Sequence, residues 1–285
     1  MNYRHGFHAG NFADVVKHAI LARALVALTR KDAPFRYIDT HAGAGRYDLS
    51  GERAQRSPEW RDGVARLLGA PPPPSDIAQL LKPYLDAIGP DVADHRPAAY
   101  PGSPAIAQRL ARAQDVIALN EKHPDERRAL EQALGKDRRL RIGALDGYVA
   151  LGAQTPPKER RGLALIDPPF EKPGEHGRVD AALRIALGKW PQGTYIVWRP
   201  IKDREEDAAF LSGLKELGRP NVANFEHDVG RAPPPAPALR RAGIVIVNPP
   251  HRVFEEIEAL LMYLTPLLAR GDGAGFKSGW LTQPT

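Results

Sequence analysis

The tetrapeptide Asp167-Pro168-Pro169-Phe170 is the strongest candidate for chemistry in this sequence, because it ends an apolar run with an acid, two prolines and an aromatic residue. The prolines fix the backbone and remove two amide donors, which leaves carbonyl oxygens held beside the Asp167 carboxylate. A planar amine could donate one hydrogen bond to Asp167 and another to the Pro168 carbonyl. Phe170 could then stack on the ring that bears the amine. These residues favour a pocket for an aminated aromatic base.

Small and acidic residues follow three other apolar runs. The first run ends in Asp39-Thr40-His41-Ala42-Gly43-Ala44-Gly45, whose glycines allow a tight turn and a close approach to a ligand. The next two runs end at Glu121 and at Asp146-Gly147. Ligands of open α/β sheets bind at the carboxyl ends of strands, where one acid could hold a ribose diol and another acid or amide could read an adenine amine. Each acid taken alone could instead be a polar helix cap.

The pattern around these residues predicts strands that alternate with helices, and therefore a largely parallel α/β sheet. An amphipathic helix with one apolar face, spaced from Phe12 to Leu28, precedes the first strand. Ser103-Pro104 is typical of an N-cap followed by proline at the first helical position. Seven short apolar or β-branched runs are the predicted strands: Tyr37-Thr40, Val116-Leu119, Leu140-Ile142, Leu163-Ile166, Thr194-Trp198, Val222-Phe225 and Ile244-Val247.

A long stretch separates the first strand from the helix that begins at Ser103. It contains a proline cluster at 71–74 and two helical patterns, which favour a small helical insertion over a loop of fifty residues. We therefore predict three parts, namely residues 1–48 with the N-terminal motif and first helix, residues 49–100 as the insertion, and residues 101–285 as the rest of the main domain.

Composition limits the function classes. The 285 residues include no Cys, which excludes disulfides and thiolate metal sites. The sequence also lacks the His-Glu-x-x-His motif that is typical of zinc sites, so no metal is expected. No run of eighteen apolar residues or signal segment is present, which predicts a soluble, cytoplasmic protein without a membrane partner. The 40 Lys and Arg against 34 Asp and Glu give a net charge of +6, which favours an anionic partner such as nucleic acid.

The Asp-Pro-Pro-aromatic motif with its upstream glycine loop resembles that of S-adenosylmethionine-dependent amino methyltransferases, whose class I fold is a doubly wound, seven-stranded sheet. Nearly the whole chain further resembles the RlmJ family, which methylates adenine N(6) in 23S ribosomal RNA. This resemblance rests on the segments YRHGFHAGNFADVVKH, IDTHAGAGRYDL, YPGSP, NEKHP, ALDGY, RGLALIDPPFE and IVIVNPP.

The resemblance implies base extrusion followed by direct methyl transfer to a specific adenine of 23S ribosomal RNA, in naked RNA or an early assembly intermediate, with Asp167 as the catalytic acceptor. The cofactor S-adenosylmethionine would contact His18, His41, Ser103, Glu121, Asp146 and Gly147. The substrate would be handled by Tyr3, His5 and Lys17 in the N-terminal motif, together with Pro168 and Phe170.

Several alternatives stay open. Asn248-Pro249-Pro250 also follows an apolar run, but it lies far past the glycine loop and lacks a following aromatic residue, so we predict a structural role for Asn248. A DNA adenine methyltransferase would share the core residues, whereas a glutamine or other protein methyltransferase would more usually carry Asn in place of Asp167. A non-catalytic RNA-binding or assembly module would tolerate loss of these acids, and the sequence retains them.

Overall fold

The computed structural model describes residues 4–90, 92–93, 95–231 and 239–284 of the chain. Eight strands form one central sheet. They are β1 (Arg36–Asp39), β2 (Val116–Asn120), β3 (Leu140–Gly143), β4 (Gly162–Ile166), β5 (Thr194–Pro200), β6 (Val222–Asp228), β7 (Arg241–Val247) and β8 (Gly275–Thr282). Two short ribbons lie outside this sheet and pair Arg46–Asp48 with Ala99–Pro101 and Val92–Ala93 with Arg96–Pro97.

The strands follow the order β3-β2-β1-β4-β5-β7-β6-β8. Strands β1 to β5 are mutually parallel, while β7 and β8 run against the other strands. The strand order therefore reverses between β1 and β4. Open α/β sheets bind their ligands at such a topological switch point. The predicted mostly parallel α/β class is confirmed, with an eighth strand that the sequence did not indicate. Strand β8 contains two glycines and several polar residues, which are poor strand formers, and it forms through pairing with β6.

Ten α-helices connect and cover these strands in the described residues. They are α1 (Phe12–Thr29), α2 (Glu52–Arg56), α3 (Val64–Leu68), α4 (Ser75–Ile88), α5 (Ser103–Leu110), α6 (Pro124–Leu134), α7 (Gly147–Gln154), α8 (Glu175–Lys189), α9 (Arg204–Lys215) and α10 (Val253–Leu268). Alternate residues of β4 enter two different apolar cores, because helices cover both faces of the sheet. The sheet is therefore doubly wound.

Helix α1 is buried far more completely than a surface helix. Its first turn is capped by Asn11, whose side chain accepts a hydrogen bond from the Asp14 amide at 2.9 Å. Every residue from Phe12 to Leu25 is buried, because α4, α5 and α10 pack against the side that faces away from the sheet. The single apolar face predicted from sequence is therefore incomplete, since the opposite face is also buried.

The segment predicted as an insertion contains α2, α3 and α4. The buried residues Ile77, Leu81 and Tyr84 of α4 join the same apolar core as α1, so this segment forms the outer cover of α1. The predicted three-part division of the chain stays a prediction. Among the helices that the structure describes, none combines the length and apolar character needed to cross a lipid bilayer.

Candidate active site

A cavity of about 420 Å³ lies where β1 to β5 end, and α1 and the 3-10 turn His5–Phe7 contribute to its wall. Its volume falls within the range of small-molecule binding sites. The predicted site residues that line it are His5, Lys17, His18, His41, Ser103, Glu121, Asp146, Gly147, Asp167 and Pro168. Among the residues that the structure describes, Phe170 does not line the cavity. Tyr3 lies outside the described residues.

Asp167 is linked to the N-terminal motif by a series of polar contacts through Lys17 and Asp14. Lys17 Nζ donates a hydrogen bond to Asp167 Oδ2 at 2.6 Å and lies 2.9 Å from Asp14 Oδ1. The other carboxylate oxygen of Asp14 lies 2.9 Å from His5 Nε2 and accepts the Gly10 amide at 2.9 Å. Two residues that are 150 positions apart thus form one ion pair in the wall of the cavity.

The pKa values of Lys17 and Asp14 are shifted so that both groups stay ionised. Burial acts to lower the pKa of Lys17, but the Asp14 and Asp167 carboxylates outweigh burial and raise it. Burial acts to raise the pKa of Asp14, yet His5 and Lys17 hold it well below its ordinary value. Lys17 is therefore a permanent cation beside Asp167. It occupies Oδ2 and leaves Oδ1 without a donor among the described residues.

Glu121 follows β2 and is fixed in orientation by two backbone amides. Its Oε2 accepts the Gly43 amide at 2.8 Å, and its Oε1 accepts the His123 amide at 2.6 Å. Burial raises the pKa of this carboxyl despite these hydrogen bonds. Each oxygen keeps a second lone pair, so Glu121 can accept further hydrogen bonds from a pair of hydroxyl groups at the glycine loop.

Ser103 is the first helical residue of α5, whose N-cap is Gly102 and not Ser103 as predicted, and its side chain supports Asp39, the buried acid at the end of β1. Its Oγ donates to Asp39 Oδ2 at 2.7 Å, and the Tyr37 hydroxyl donates to the same oxygen at 2.7 Å. The His41 amide donates to the other oxygen at 3.3 Å, while burial raises the pKa of Asp39 to about 6. The acid at the end of β1 thus stabilises the start of the glycine loop and orients Ser103.

Gly147 and His41 form a close contact on one side of the cavity. A Cβ at Gly147 would lie 2.5 Å from the His41 ring and 2.6 Å from the Thr40 carbonyl oxygen, so only glycine fits here. Burial lowers the pKa of His41 to about 4, which keeps the ring neutral. Asp146 is the N-cap of α7, and its side chain accepts a hydrogen bond from the Tyr148 amide at 3.2 Å. Asp146 also lines the cavity, so the residue combines a capping position with a place in the candidate site.

His18 lies deeper in the wall and contacts the helical cover. Its Nδ1 is 2.8 Å from the Tyr100 hydroxyl, which is 2.9 Å from the Tyr84 hydroxyl on α4. Burial lowers the pKa of His18 to about 3, so this histidine is neutral. The described ranges hold no cluster of three or more His, Cys, Asp or Glu arranged to bind a metal ion.

Phe170 packs against two other aromatic side chains near Asp167. The Phe170 ring packs 4.9 Å from His176 and 5.9 Å from Trp198, measured between ring centroids. Trp198 itself lines the cavity, together with Tyr148. Neither residue was singled out from sequence. The only available signal for Trp198 was its place near the end of the strand that follows β4. Stacking of a base on Phe170 stays a prediction.

The chain is similar to a protein family and to two bacterial proteins over most of its length. A family model described as "RsmJ: Ribosomal RNA large subunit methyltransferase D, RlmJ" matches residues 32–282. "Ribosomal RNA large subunit methyltransferase J" of Escherichia coli (strain K12) is 34% identical over 278 residues, with 96% of each chain covered. The protein of the same name from Haemophilus influenzae is 34% identical over 284 residues, with 99% of each chain covered.

A solved structure has the same architecture. The crystal structure of protein LPL1258 from Legionella pneumophila str. Philadelphia 1 matches with a TM-score of 0.84 and 30% sequence identity, and the match covers 95% of this chain and 98% of that one. The family match and the two curated relatives extend over nearly the full length of the chain. The chain therefore belongs to the RlmJ family of ribosomal RNA large subunit methyltransferases.

Proposed function

We propose that this chain uses S-adenosylmethionine to methylate the exocyclic N(6) amine of one adenine in 23S ribosomal RNA. The observation that carries the proposal is the Asp167 carboxylate, which is held by Lys17 through one oxygen and lies in the same cavity as Glu121. Family membership supports the reaction class. The proposed roles of individual residues rest on the chemistry of the cavity.

The lining of the cavity fits a cationic nucleoside cofactor. Glu121 would accept the ribose hydroxyls, while Asp146 and the backbone of Gly147 would lie against the adenine. His18 and His41 are neutral, so they place no positive charge beside the sulfonium. When bound, S-adenosylmethionine would supply an activated methyl group on positively charged sulfur.

Asp167 and Pro168 orient the target amine. Asp167 Oδ1 and the Pro168 carbonyl would accept the two amine hydrogens, which turns the nitrogen lone pair toward the methyl donor. Lys17 holds Asp167 in place through Oδ2, so the carboxylate needs little reorganisation as the amine gains positive charge. The amine would take the methyl group as the bond between methyl carbon and sulfur breaks, and Asp167 Oδ1 would accept the proton that the methylated amine releases. Positioning the amine in a site shielded from water then supplies much of the rate enhancement.

The target adenine has to leave its stack to reach Asp167, at a cost of a few kcal/mol that is smallest for an unpaired base. We therefore propose that the substrate is naked 23S ribosomal RNA or an early assembly intermediate. The N-terminal motif would contact the RNA beside the cavity. In this motif His5 is fixed by Asp14, and Arg4 contacts Glu126 at 2.8 Å.

The test incubates the full chain with labelled S-adenosylmethionine and unmodified 23S ribosomal RNA, with duplex DNA and assembled large subunits in parallel. We expect N(6)-methyladenosine in the naked RNA and little label elsewhere. Label in DNA would favour the DNA methyltransferase alternative, and label in protein would favour a protein methyltransferase. Binding of RNA without transfer of label would indicate a non-catalytic module.

Cofactor placement is tested through Glu121→Ala. Loss of hydrogen bonds to a charged group corresponds to about 1.5–3 kcal/mol, so the affinity for S-adenosylmethionine should fall by about 10- to 100-fold. Glu131→Ala, which removes an exposed carboxylate from α6, is the control and should leave the affinity unchanged. Calorimetry on both folded proteins decides the matter, and equal affinities would remove Glu121 from the cofactor site.

A further inference from the structure

We infer that Trp198 forms the aromatic wall of the target-base pocket and that the extruded adenine stacks on its indole ring. The inference rests on the proposed function and assigns a substrate contact to a residue outside the sequence motifs. It also assigns Phe170 a positioning role, in which Phe170 supports Trp198.

The pairing of β4 with β5 places Trp198 directly beside Asp167. In the parallel ladder Ile166 is opposite Val197, so Asp167 and Trp198 are the next residues along the two strands. Neighbouring strands lie about 4.8 Å apart, and residues in register point to the same face of the sheet. Ile166 and Val197 enter one apolar core, whereas Trp198 packs against the other, on the side of α1.

Lys17 supplies a second measure of this proximity. Its Nζ lies 2.6 Å from Asp167 Oδ2 and 5.8 Å from the centroid of the Trp198 ring. A purine held through its amine by Asp167 and Pro168 has to extend its fused rings away from these two residues. The Trp198 indole lines the cavity beside them and offers a large flat apolar surface for the base.

The indole is held in position before any base arrives. Phe170 meets it edge-on, with ring centroids 5.9 Å apart and an interplanar angle of 67°. Trp198 is half-buried and packs against the core that contains α1, so one part of the ring is fixed while another faces the cavity. Such a rigid platform can stack a base with little loss of side-chain freedom.

The experiment compares Trp198→Phe and Trp198→Leu in single-turnover methylation of a short RNA transcript that the wild-type chain methylates. Stacking of a base on an aromatic side chain is typically worth enough to change binding by about 10- to 100-fold. We therefore expect Trp198→Leu to raise the RNA concentration at half-maximal rate by that factor, while the affinity for S-adenosylmethionine stays unchanged. Trp198→Phe should retain most of the wild-type behaviour.

A fluorescent base gives a readout that a purely structural role would not produce. With 2-aminopurine in place of the target adenine, stacking on Trp198 should quench the extruded base in the wild type, and Trp198→Leu should be brighter at saturating protein. Trp280→Leu is the control, because Trp280 stacks on Phe254 at 4.6 Å and is not among the described residues of the cavity wall. It should match the wild type in both measurements.

Two results would overturn the inference. The first is a folded Trp198→Leu protein with wild-type RNA dependence and wild-type 2-aminopurine fluorescence. The second is an equal loss of thermal stability and cofactor affinity in the Phe and Leu variants, which would assign Trp198 to packing alone. A wild-type chain that transfers no methyl group to any RNA would instead refute the proposed function, so the two failures are distinguishable.

Discussion

Two turns of the chain, called corners here, consist of an acid or amide followed by Pro-Pro at the end of a strand. They are Asp167-Pro168-Pro169 and Asn248-Pro249-Pro250, and they lie at opposite ends of the sheet's strands. Asp167 follows β4, which is parallel to β1, and it lines the cavity. Asn248 follows β7, which is antiparallel to β5, and the last residue of β7 pairs with Tyr195 near the start of β5. The same short motif therefore points to the ligand edge in one case and away from it in the other, because the strand direction differs.

The polar groups at the two corners are also used differently. The side-chain Nδ2 of Asn248 donates to the carbonyl oxygens of Pro191 and Gly193, both at 2.9 Å. The backbone carbonyl oxygen of Asn248 accepts the Thr194 hydroxyl at 2.9 Å. Its φ of 52° fits a turn residue of Asn type. These contacts support the predicted structural role of Asn248, whereas Asp167 retains an oxygen for a ligand.

The largest expected effect distinguishes the corners by activity. Asp167→Asn keeps the shape of the side chain but removes the charge that stabilises the amine, so the methylation rate should fall by about a hundredfold or more. Asp167→Ala should be at least as damaging, and both variants should bind S-adenosylmethionine almost normally. Single-turnover assays at saturating cofactor provide the measurement.

Asn248→Ala is the matched control for this experiment and should methylate RNA at close to the wild-type rate once folded. If methylation survives Asp167→Ala and disappears in Asn248→Ala, with both proteins folded, then the active site lies at Asn248 and not at Asp167.

The next effect concerns the cation that only the Asp167 corner has. Lys17→Met removes the partner that fixes Asp167 Oδ2 and also leaves the buried Asp14 with His5 and the Gly10 amide. We expect a rate loss of about tenfold or more, together with a lower melting temperature, because breaking a buried ion pair is costly. Rates are compared at a temperature where circular dichroism shows the variant folded. An unchanged rate would show that Lys17 has no role in orienting Asp167.

The third prediction concerns stability at the other corner. Asn248→Ala removes the side-chain donor to the exposed Pro191 carbonyl and to the partly buried Gly193 carbonyl, and it places alanine at positive φ. The free energy of unfolding should decrease by about 1–3 kcal/mol, measured by urea denaturation. Asn248→Gly, which tolerates the backbone conformation, should lose less than the alanine variant. Equal stability of wild type and Asn248→Ala would mean that these hydrogen bonds are dispensable.

The smallest effect is a pH dependence at the cavity edge. The pKa of His41 is lowered by burial to about 4, compared with about 6.5 in the unfolded chain, so the unfolded state binds the extra proton between these values. This histidine therefore costs stability as pH falls from about 6.5 to about 4, by about 1–2 kcal/mol at pH 5. Asp39, with a pKa raised to about 6, acts in the opposite direction.

A variant separates the histidine from the acid. His41→Gln should lose less stability than the wild type between pH 7.5 and pH 5, because only the histidine contribution is removed. Urea midpoints at the two pH values provide the comparison. Identical pH profiles for the two proteins would contradict a lowered pKa of His41.

The sequence predicts the cavity edge well because parallel strands all end at the same edge. Asp167, Glu121 and Asp146 could be assigned to one site from the strand pattern alone, since each lies within a few residues of the end of an apolar run. Strand β8 could not be predicted in this way, because its glycines and polar residues become a strand only through pairing with β6.

Other site features depend on contacts between distant parts of the chain. The ion pair between Lys17 and Asp167 joins α1 to the end of β4, and no local pattern indicates it. The position of Trp198 beside Asp167 depends on the register between β4 and β5, which a single sequence does not specify. The sequence predicts that the side chain of Phe170 faces a ligand. Its contact with Trp198 depends on that same register, and its contact with His176 depends on where α8 packs.

Helix α1 carries Asp14, Lys17 and His18 through a stretch in which every residue from Phe12 to Leu25 is buried. Backbone amides in such a helix exchange with deuterated solvent only when the surrounding helices separate, which requires global unfolding. We expect α1 to be among the slowest-exchanging segments of the protein. Asp14 and Lys17 would then keep their relative positions throughout turnover, and their separation would coincide with cooperative melting of the whole fold.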